Sequence, residues 1–192
     1  MLSLRFAKFY AMIRLFVAIP IPAAVKKQIG TACAVFPAEK WTPATNLHLT
    51  VHFIGNLHPD EIAPLSAKLS AITLQFDPFT LFFKEVCAIS NHKKSMIWIR
   101  MQHSEPLEML ASIIAEVTGS EPDFSFTPHI TLLRLPKDTN HNKKPNLLSK
   151  IPVQPFEMEV KQVELWDSVP VKEGRKYTCL QKFLFGGVKN AP

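Results

Sequence analysis

Two short segments of this chain share one pattern of apolar and polar residues, and they constrain the fold more than any other feature. In each, a histidine and a threonine lie two positions apart among bulky apolar residues: His48 and Thr50 in the first, His129 and Thr131 in the second. Such a run predicts a β-strand, whose side chains point alternately to opposite faces. Each strand should therefore bury one apolar face and present a histidine and a threonine on the other.

The rest of the chain predicts further strands and helices in roughly equal content. Strands are predicted over residues 14–19, 47–54, 79–89, 95–102, 129–135, 156–166 and 176–185, and helices over residues 23–35, 58–74 and 105–118. A polar segment rich in lysine and asparagine, residues 136–152, is predicted as a loop or a loosely held helix. The interspersed elements predict an α+β fold. Because no long linker divides the chain, residues 12–192 are predicted to form a single domain with two lobes that share one cleft.

The N-terminal segment could be interpreted as a signal peptide or as a strand. Residues 1–11 are basic and aromatic, and an apolar stretch follows over residues 15–25. Pro20 and Pro22 interrupt that stretch, which is also too short to span a membrane. We therefore predict a strand that ends at proline, preceded by a loose extension over residues 1–11, with Met12 as an alternative start of translation.

Composition and charge limit the possible partners and compartments. The 192 residues are 47% hydrophobic and 20% charged, which is ordinary for a water-soluble protein with a core. The net charge of +6 favours a polyanionic partner, although a basic surface kept for solubility explains it equally well. The three cysteines are widely spaced, so they predict neither a disulfide framework nor a zinc site. We expect a monomer in the reducing cytoplasm, without a membrane partner.

Two histidines on two similar strands suit the hydrolysis of a cyclic phosphodiester. This reaction needs one group to take a proton from water and another to protonate the departing ribose oxygen. Histidine titrates near neutral pH, so a pair can hold these opposite states together. Threonine hydroxyls can bind the non-bridging phosphate oxygens, and no metal or cofactor is then required. The alternative is a pair of histidines that are only hydrogen-bonded within a core.

The sequence resembles the bacterial and archaeal RNA 2′,3′-cyclic phosphodiesterases, also called 2′-5′ RNA ligases, of the two-histidine phosphoesterase superfamily. The resemblance is carried by RLFVAIP, NLHLTV with FIG, TPHITLLR and RKYT, at residues 14–20, 46–55, 127–134 and 175–178. These segments follow the order of the family. The resemblance covers nearly all of the chain after Met12.

The resemblance implies both an architecture and a set of roles. It implies two similar lobes, each an antiparallel sheet backed by helices, with a central cleft between the motif strands. His48 would be the proton donor and His129 the proton acceptor, while Thr50 and Thr131 would hold the phosphate. Arg134 matches a basic residue that closes the second motif and binds phosphate. Strict alternation would turn Arg134 away from His129, so this role requires a bulge or a twist in the strand.

Three more residues are candidate substrate contacts. Phe16 and Tyr177 are aromatic residues that could stack on a terminal base. Alternation places His52 on the face of His48, where it could contact substrate or change the pKa of its neighbour. The alternatives for His52 are a rim histidine without a role, or a metal site shared with His48 and His129.

The expected reaction is hydrolysis of RNA ends that carry a 2′,3′-cyclic phosphate. The family implies that O3′ leaves and that the product is a 2′-phosphomonoester. The alternatives at the same site are 2′-5′ RNA ligation and cleavage of another cyclic nucleotide. A further alternative is a non-catalytic module that binds a nucleotide or RNA, although such a module would not need both histidines.

Overall fold

The computed structural model describes residues 11–90, 95–121, 125–135, 144–172 and 174–186. The eight strands are β1 (Ile13–Pro20), β2 (His48–Leu57), β3 (Phe79–Ser90), β4 (Ser95–Met101), β5 (His129–Leu135), β6 (Glu157–Val160), β7 (Gln162–Val171) and β8 (Gly174–Leu184). The helices are α1 (Ala23–Cys33), α2 (Pro59–Thr73), α3 (Glu105–Val117) and the short α4 (Lys144–Leu148), with a 3₁₀ turn at Ala44–Asn46. In the part of the chain so described, no helix is long and apolar enough to cross a membrane.

The strands form one antiparallel sheet in the order β6-β3-β4-β5-β2-β1-β7-β8. The two motif strands, β2 and β5, are neighbours at its centre, where they pair only at Leu49 and Ile130. The strands on either side of this narrow junction form two groups of four. This arrangement confirms the predicted α+β class, while the similarity of two lobes stays a prediction.

The main core lies between one face of the sheet and the three longer helices. Buried residues from the sheet, such as Leu49 and Ile130, pack with Ile29 of α1, Leu69 of α2 and Leu110 of α3. Burial of each such side chain contributes about 1.5–3 kcal/mol. The opposite face of the sheet is therefore left to polar and aromatic side chains, and that face carries the motif residues.

Two predicted strand boundaries are wrong. The predicted strand over residues 156–166 is divided at Lys161, because β6 pairs with β3 in one half of the sheet and β7 pairs with β1 and β8 in the other. Strand β2 does not end at Gly55, which has a φ of 89° and continues within the strand to Leu57. Residues 1–10 of the predicted extension over residues 1–11, and residues 136–143 of the predicted loop or loosely held helix over residues 136–152, lie outside the described residues.

Candidate active site

The pairing of β2 with β5 brings the two motifs together on one face. Leu49 and Ile130 are opposite each other and both are fully buried in the helix-side core. The flanking residues of each strand therefore point the other way, away from the helices. His48 and His129, with their threonines, are thus placed on the same face of the sheet.

Both histidines are held in the same tautomer. The Nδ1 atom of His48 lies 2.7 Å from the carbonyl oxygen of Asn46, and that of His129 lies 2.7 Å from the carbonyl oxygen of Thr127. A carbonyl oxygen can only accept, so Nδ1 carries the hydrogen in both rings. Each ring then presents Nε2 for proton transfer. In His48 that atom lies 3.0 Å from the hydroxyl of Thr50.

A bulge in β5 returns Arg134 to the face of His129. The pairing of β5 with β4 shifts by one residue, which leaves Leu132 without a partner. As a consequence, Leu132 and Leu133 are both buried, and the alternation is reversed beyond them. Arg134 is exposed, and its charge reaches both His129 and His48. This is the bulge that the proposed role of Arg134 requires.

A matching bulge in β2 turns His52 away from the site. Val51 has no partner in β1, and the next residue, His52, pairs with Val17 of the buried face. The Nε2 atom of His52 lies 3.1 Å from the hydroxyl of Thr118, which is also within hydrogen-bond distance of two carbonyl oxygens of α3. The prediction that His52 shares the face of His48 is therefore wrong, because the extra residue reverses the alternation.

The same bulge brings Phe53 onto the site face, whereas strict alternation from His48 would place it on the buried apolar face of the strand. The Phe53 side chain is 63% exposed. Its ring contacts that of Phe16 at a centroid distance of 5.9 Å, and Phe16 in turn contacts His48 at 5.0 Å. An exposed aromatic ring thus lies one ring away from the first histidine. Sequence alternation missed Phe53, since the bulge leaves no mark in the pattern of apolar residues.

Three aromatic rings surround His48 on the site face. Phe16, Trp166 and Tyr177 lie 5.0, 5.3 and 5.2 Å from its imidazole, and Tyr177 meets it edge to face. Phe16 is only 2% exposed, so its ring forms the floor beneath His48 and is not open to a base. Tyr177 is half-buried and remains accessible at the edge of the site.

A buried carboxylate holds one of these rings in place. Glu164 is 5% exposed and accepts hydrogen bonds from the indole of Trp166 at 2.8 Å and from the amide of Gln162 at 2.7 Å. The ammonium of Lys182 lies 3.7 Å away. Buried glutamates are rare unless they are paired in this way. Sequence analysis missed Glu164 and Trp166, although their spacing in β7 repeats the i, i+2 spacing of the motifs.

Among the described residues, one aromatic ring contacts His129. Trp98 of β4 lies opposite Thr131, and its indole stacks on the imidazole at a centroid distance of 3.7 Å and an interplanar angle of 15°. This contact was also missed, because strand pairing and not sequence distance brings the two rings together.

The surroundings of both histidines favour the neutral imidazole. Burial, with smaller contributions from the charges of Arg134, His129 and Lys26, lowers the pKa of His48 from 6.5 to about 4, while the hydrogen bond to Asn46 acts in the opposite direction. Burial also lowers the pKa of His129, with a contribution from Arg134. A negative charge bound between the rings opposes each of these effects. The site is therefore suited to take up an anion together with a proton.

No group of three or more histidine, cysteine, aspartate or glutamate side chains is arranged to hold a metal ion within the described ranges. His52, which the metal alternative would require, is bonded to Thr118 on the helix side of the sheet. What the site face offers instead is two Nε2 atoms, two hydroxyls and one guanidinium. These are the groups that acid–base chemistry on a phosphate requires.

The chain was compared with known proteins and solved structures. An RNA 2′,3′-cyclic phosphodiesterase of Archaeoglobus fulgidus is 26% identical over 178 residues, which cover 88% of this chain and 99% of the relative. One from Escherichia coli is 35% identical over 129 residues, which cover 63% and 71%. The crystal structure of E. coli LigT in apo form matches with a TM-score of 0.70 at 26% identity, over 91% of this chain and 98% of that one.

The sequence model of the 2′-5′ RNA ligase superfamily matches residues 17–170. This range begins within β1 and ends within β7, so it includes both motif strands and the helices between them. The chain therefore belongs to the 2′-5′ RNA ligase superfamily.

Proposed function

We propose that this protein hydrolyses RNA ends carrying a 2′,3′-cyclic phosphate to 2′-phosphomonoesters, without a metal ion, and that His48 and His129 are its acid and base. The proposal is supported above all by the equivalent hydrogen bonds of the two imidazole rings. In each, Nδ1 donates to a backbone carbonyl oxygen and Nε2 points to the same face of the sheet. The names of the relatives support the same reaction and substrate.

In the proposed reaction, the Nε2 atom of His129 takes a proton from water, and the resulting oxygen attacks the phosphorus. The bond from phosphorus to O3′ breaks, and the Nε2–H of His48 gives its proton to O3′, which leaves as a hydroxyl. The phosphate stays on O2′. Because attacking and leaving oxygens must be roughly in line, base and acid belong on opposite sides of the phosphorus. Histidines from two adjacent strands, one in each half of the sheet, can meet this requirement.

The hydroxyls of Thr50 and Thr131 and the guanidinium of Arg134 would bind the non-bridging oxygens. Their hydrogen bonds strengthen as charge accumulates on these oxygens in the transition state. The substrate also supplies the negative charge that raises the pKa of His48, so the acid would become protonated as the phosphate binds. Thr50, whose hydroxyl lies 3.0 Å from Nε2 of His48, would then turn to the phosphate.

The nucleoside part of the substrate would lie against exposed aromatic rings. Phe53 is exposed beside Phe16, and Tyr177 contacts His48 from the other side. We propose Phe53 and Tyr177 as the groups that contact the terminal base, since aromatic faces bind bases of any sequence. Phe16 would act only through His48, and His52 is left out of the proposed site.

The test is an oligonucleotide that ends in a 2′,3′-cyclic phosphate, incubated with the protein in the presence and absence of a chelator. The proposal expects hydrolysis in both, with a phosphorus NMR spectrum that matches an authentic 2′-phosphate standard. A 3′-phosphate product would mean that the substrate is reversed and that the roles of His48 and His129 are exchanged. Activity that is lost in chelator and restored by a divalent ion would contradict the metal-independent mechanism. Binding without any turnover would favour a non-catalytic RNA-binding module.

A further inference from the structure

We propose that Trp98 is a positioning residue for His129: its indole fixes the imidazole in the site and stabilises the positive charge that the ring acquires when it takes a proton. The inference rests on the proposed role of His129 as the base. Trp98 is not part of either motif, and it acts on the reaction only through the histidine that it covers.

The stack leaves the His129 ring little freedom. The indole lies against one face of the imidazole at 3.7 Å and 15°, while Nδ1 is tied to the carbonyl oxygen of Thr127 at 2.7 Å. Trp98 is itself anchored, because its neighbours in β4, Ile97 and Ile99, are fully buried in the core. Rotation of the imidazole would break both contacts. Nε2 is therefore held in one direction before substrate arrives, which reduces the entropic cost of reaching the reactive geometry.

The two histidines differ in how aromatic rings meet them, and the difference matches their proposed charges. Phe16, Trp166 and Tyr177 meet His48 at 44°, 46° and 88°, so none of these rings lies flat against the imidazole. His129 alone, among the histidines in the described part of the chain, is stacked face to face on an indole. A cation is attracted to the face of an aromatic ring, and to tryptophan most strongly. His129 begins neutral and becomes a cation, whereas His48 begins as a cation and becomes neutral.

The charged groups around His129 increase the importance of its contact with Trp98. Arg134 lies on the same face and opposes a positive charge on the ring. Arg100 is opposite His129 in β4, but its charge is paired with Glu85 at 3.0 Å. His48, when protonated, adds a second opposing charge. Within the described part of the chain, the contacts that favour an imidazolium are the Trp98 face and the Thr127 carbonyl.

The indole N–H of Trp98 makes the test clean. Its Nε1 atom is buried and has no hydrogen-bond partner among the described residues. A phenylalanine in its place therefore loses no hydrogen bond and keeps a ring against His129. Leucine is closer in size to phenylalanine than to tryptophan, and it has no ring. Comparing W98F with W98L thus separates the aromatic face from the effect of burial.

The experiment measures kcat, KM and the pKa of His129 in W98F and W98L, the pKa by NMR of the imidazole Cε1–H. The inference expects W98F to retain most of the wild-type kcat. In W98L, kcat should be about 10-fold lower than in W98F, with a similar KM, because the lost attraction concerns a charge formed in the transition state. The pKa of His129 should be lower in W98L than in W98F, since the imidazolium loses its aromatic neighbour.

Equal values of kcat and of the His129 pKa in the two variants would overturn the inference. W98M, a second variant without a ring, replaces W98L if the leucine protein does not fold. The matched control is the pair W41F and W41L: the Trp41 indole donates to the carbonyl of Phe36, and neither variant should change kcat or the His129 pKa. If the wild-type protein hydrolyses no cyclic phosphate, the proposed function fails, but the order of the pKa values still tests the stack.

Discussion

Phe53 and Arg134 occupy equivalent positions in the two halves of the sheet. Each follows its motif histidine by five residues, and each is returned to the site face by one extra residue, Val51 in β2 or Leu132 in β5. One strand therefore adds an exposed aromatic ring to the face, and the other adds a cation. A nucleotide offers the flat aromatic face of its base to the first of these groups and a charged phosphate to the second.

Replacement of Phe53 should affect only substrates that carry a base. We expect Phe53→Ala to raise KM about 10-fold for a nucleoside 2′,3′-cyclic phosphate, since stacking on an aromatic side chain contributes about 1–3 kcal/mol per base. Hydrolysis of a ribose cyclic phosphate without a base should not change. Phe82→Ala, at a phenylalanine that is 45% exposed on β3, is the matched control. An equal loss for both substrates would contradict the assignment and indicate a change in the fold of β2.

Replacement of Arg134 should weaken phosphate binding and also change both histidines. Arg134→Gln loses a charged hydrogen-bond donor, for which we expect KM to rise about 10-fold or more. Because the Arg134 charge lowers the pKa of His48 and His129, both values should rise in the variant, as measured by NMR. Arg134→Lys keeps the charge and should leave these pKa values close to those of the wild type. Unchanged histidine pKa values in Arg134→Gln would mean that the guanidinium lies outside the site.

The burial of His48 should make the folded protein less stable in acid. Its pKa falls from 6.5 in the unfolded chain to about 4, so the unfolded state binds more protons at low pH. The stability that depends on neutral His48 is fully present above pH 6.5 and is lost progressively as the pH falls towards 4. The loss is about 3 kcal/mol at most. Urea unfolding gives the free energy of unfolding of the wild type and of His48→Asn at each pH. The wild-type value minus the variant value should fall as the pH falls from 6.5 to 4. A difference that does not depend on pH would contradict the pKa shift.

Anion binding should be coupled to proton uptake by His48. Inorganic sulfate is a suitable probe, because its own charge is constant over the range in which histidine titrates. We expect sulfate to raise the His48 pKa, and its affinity to fall as the pH rises from about 4 to the pKa of the complex. His48→Asn should remove most of this dependence, whereas His103→Asn, at an exposed histidine paired with Glu108, should not. A His48 resonance that titrates identically with and without sulfate would argue against an acid charged by its substrate.

The motif strands could be predicted from sequence, and their faces only in part. His48, Thr50, His129 and Thr131 lie on one face because they precede the bulges, so simple alternation holds for them. It fails for His52 because a bulge is set by pairing with the neighbouring strand, which a local pattern of apolar residues does not record. Phe53 was misplaced for the same reason.

The residues that hold the histidines in place could not be predicted from the sequence, for a different reason. Trp98 contacts His129 from another strand, and Glu164 is connected to His48 only through Trp166, so their roles depend on strand order and register. A tryptophan in a β-rich segment predicts only a buried aromatic, and a glutamate between apolar residues predicts only an exposed charge. The stack on His129 and the bond to Trp166 emerge from the assembled sheet.

The central claim is that the Nε2 atoms of His48 and His129 carry out hydrolysis together. The most direct test is the single-turnover rate on an RNA end with a 2′,3′-cyclic phosphate, measured for the wild type, His48→Asn, His129→Asn and the control His103→Asn, in chelator. We expect each motif variant to lose about 10²- to 10⁴-fold in rate, because each removes one proton transfer, and the control to match the wild type. A rate close to the wild-type value in either motif variant, with the fold intact, would contradict the claim.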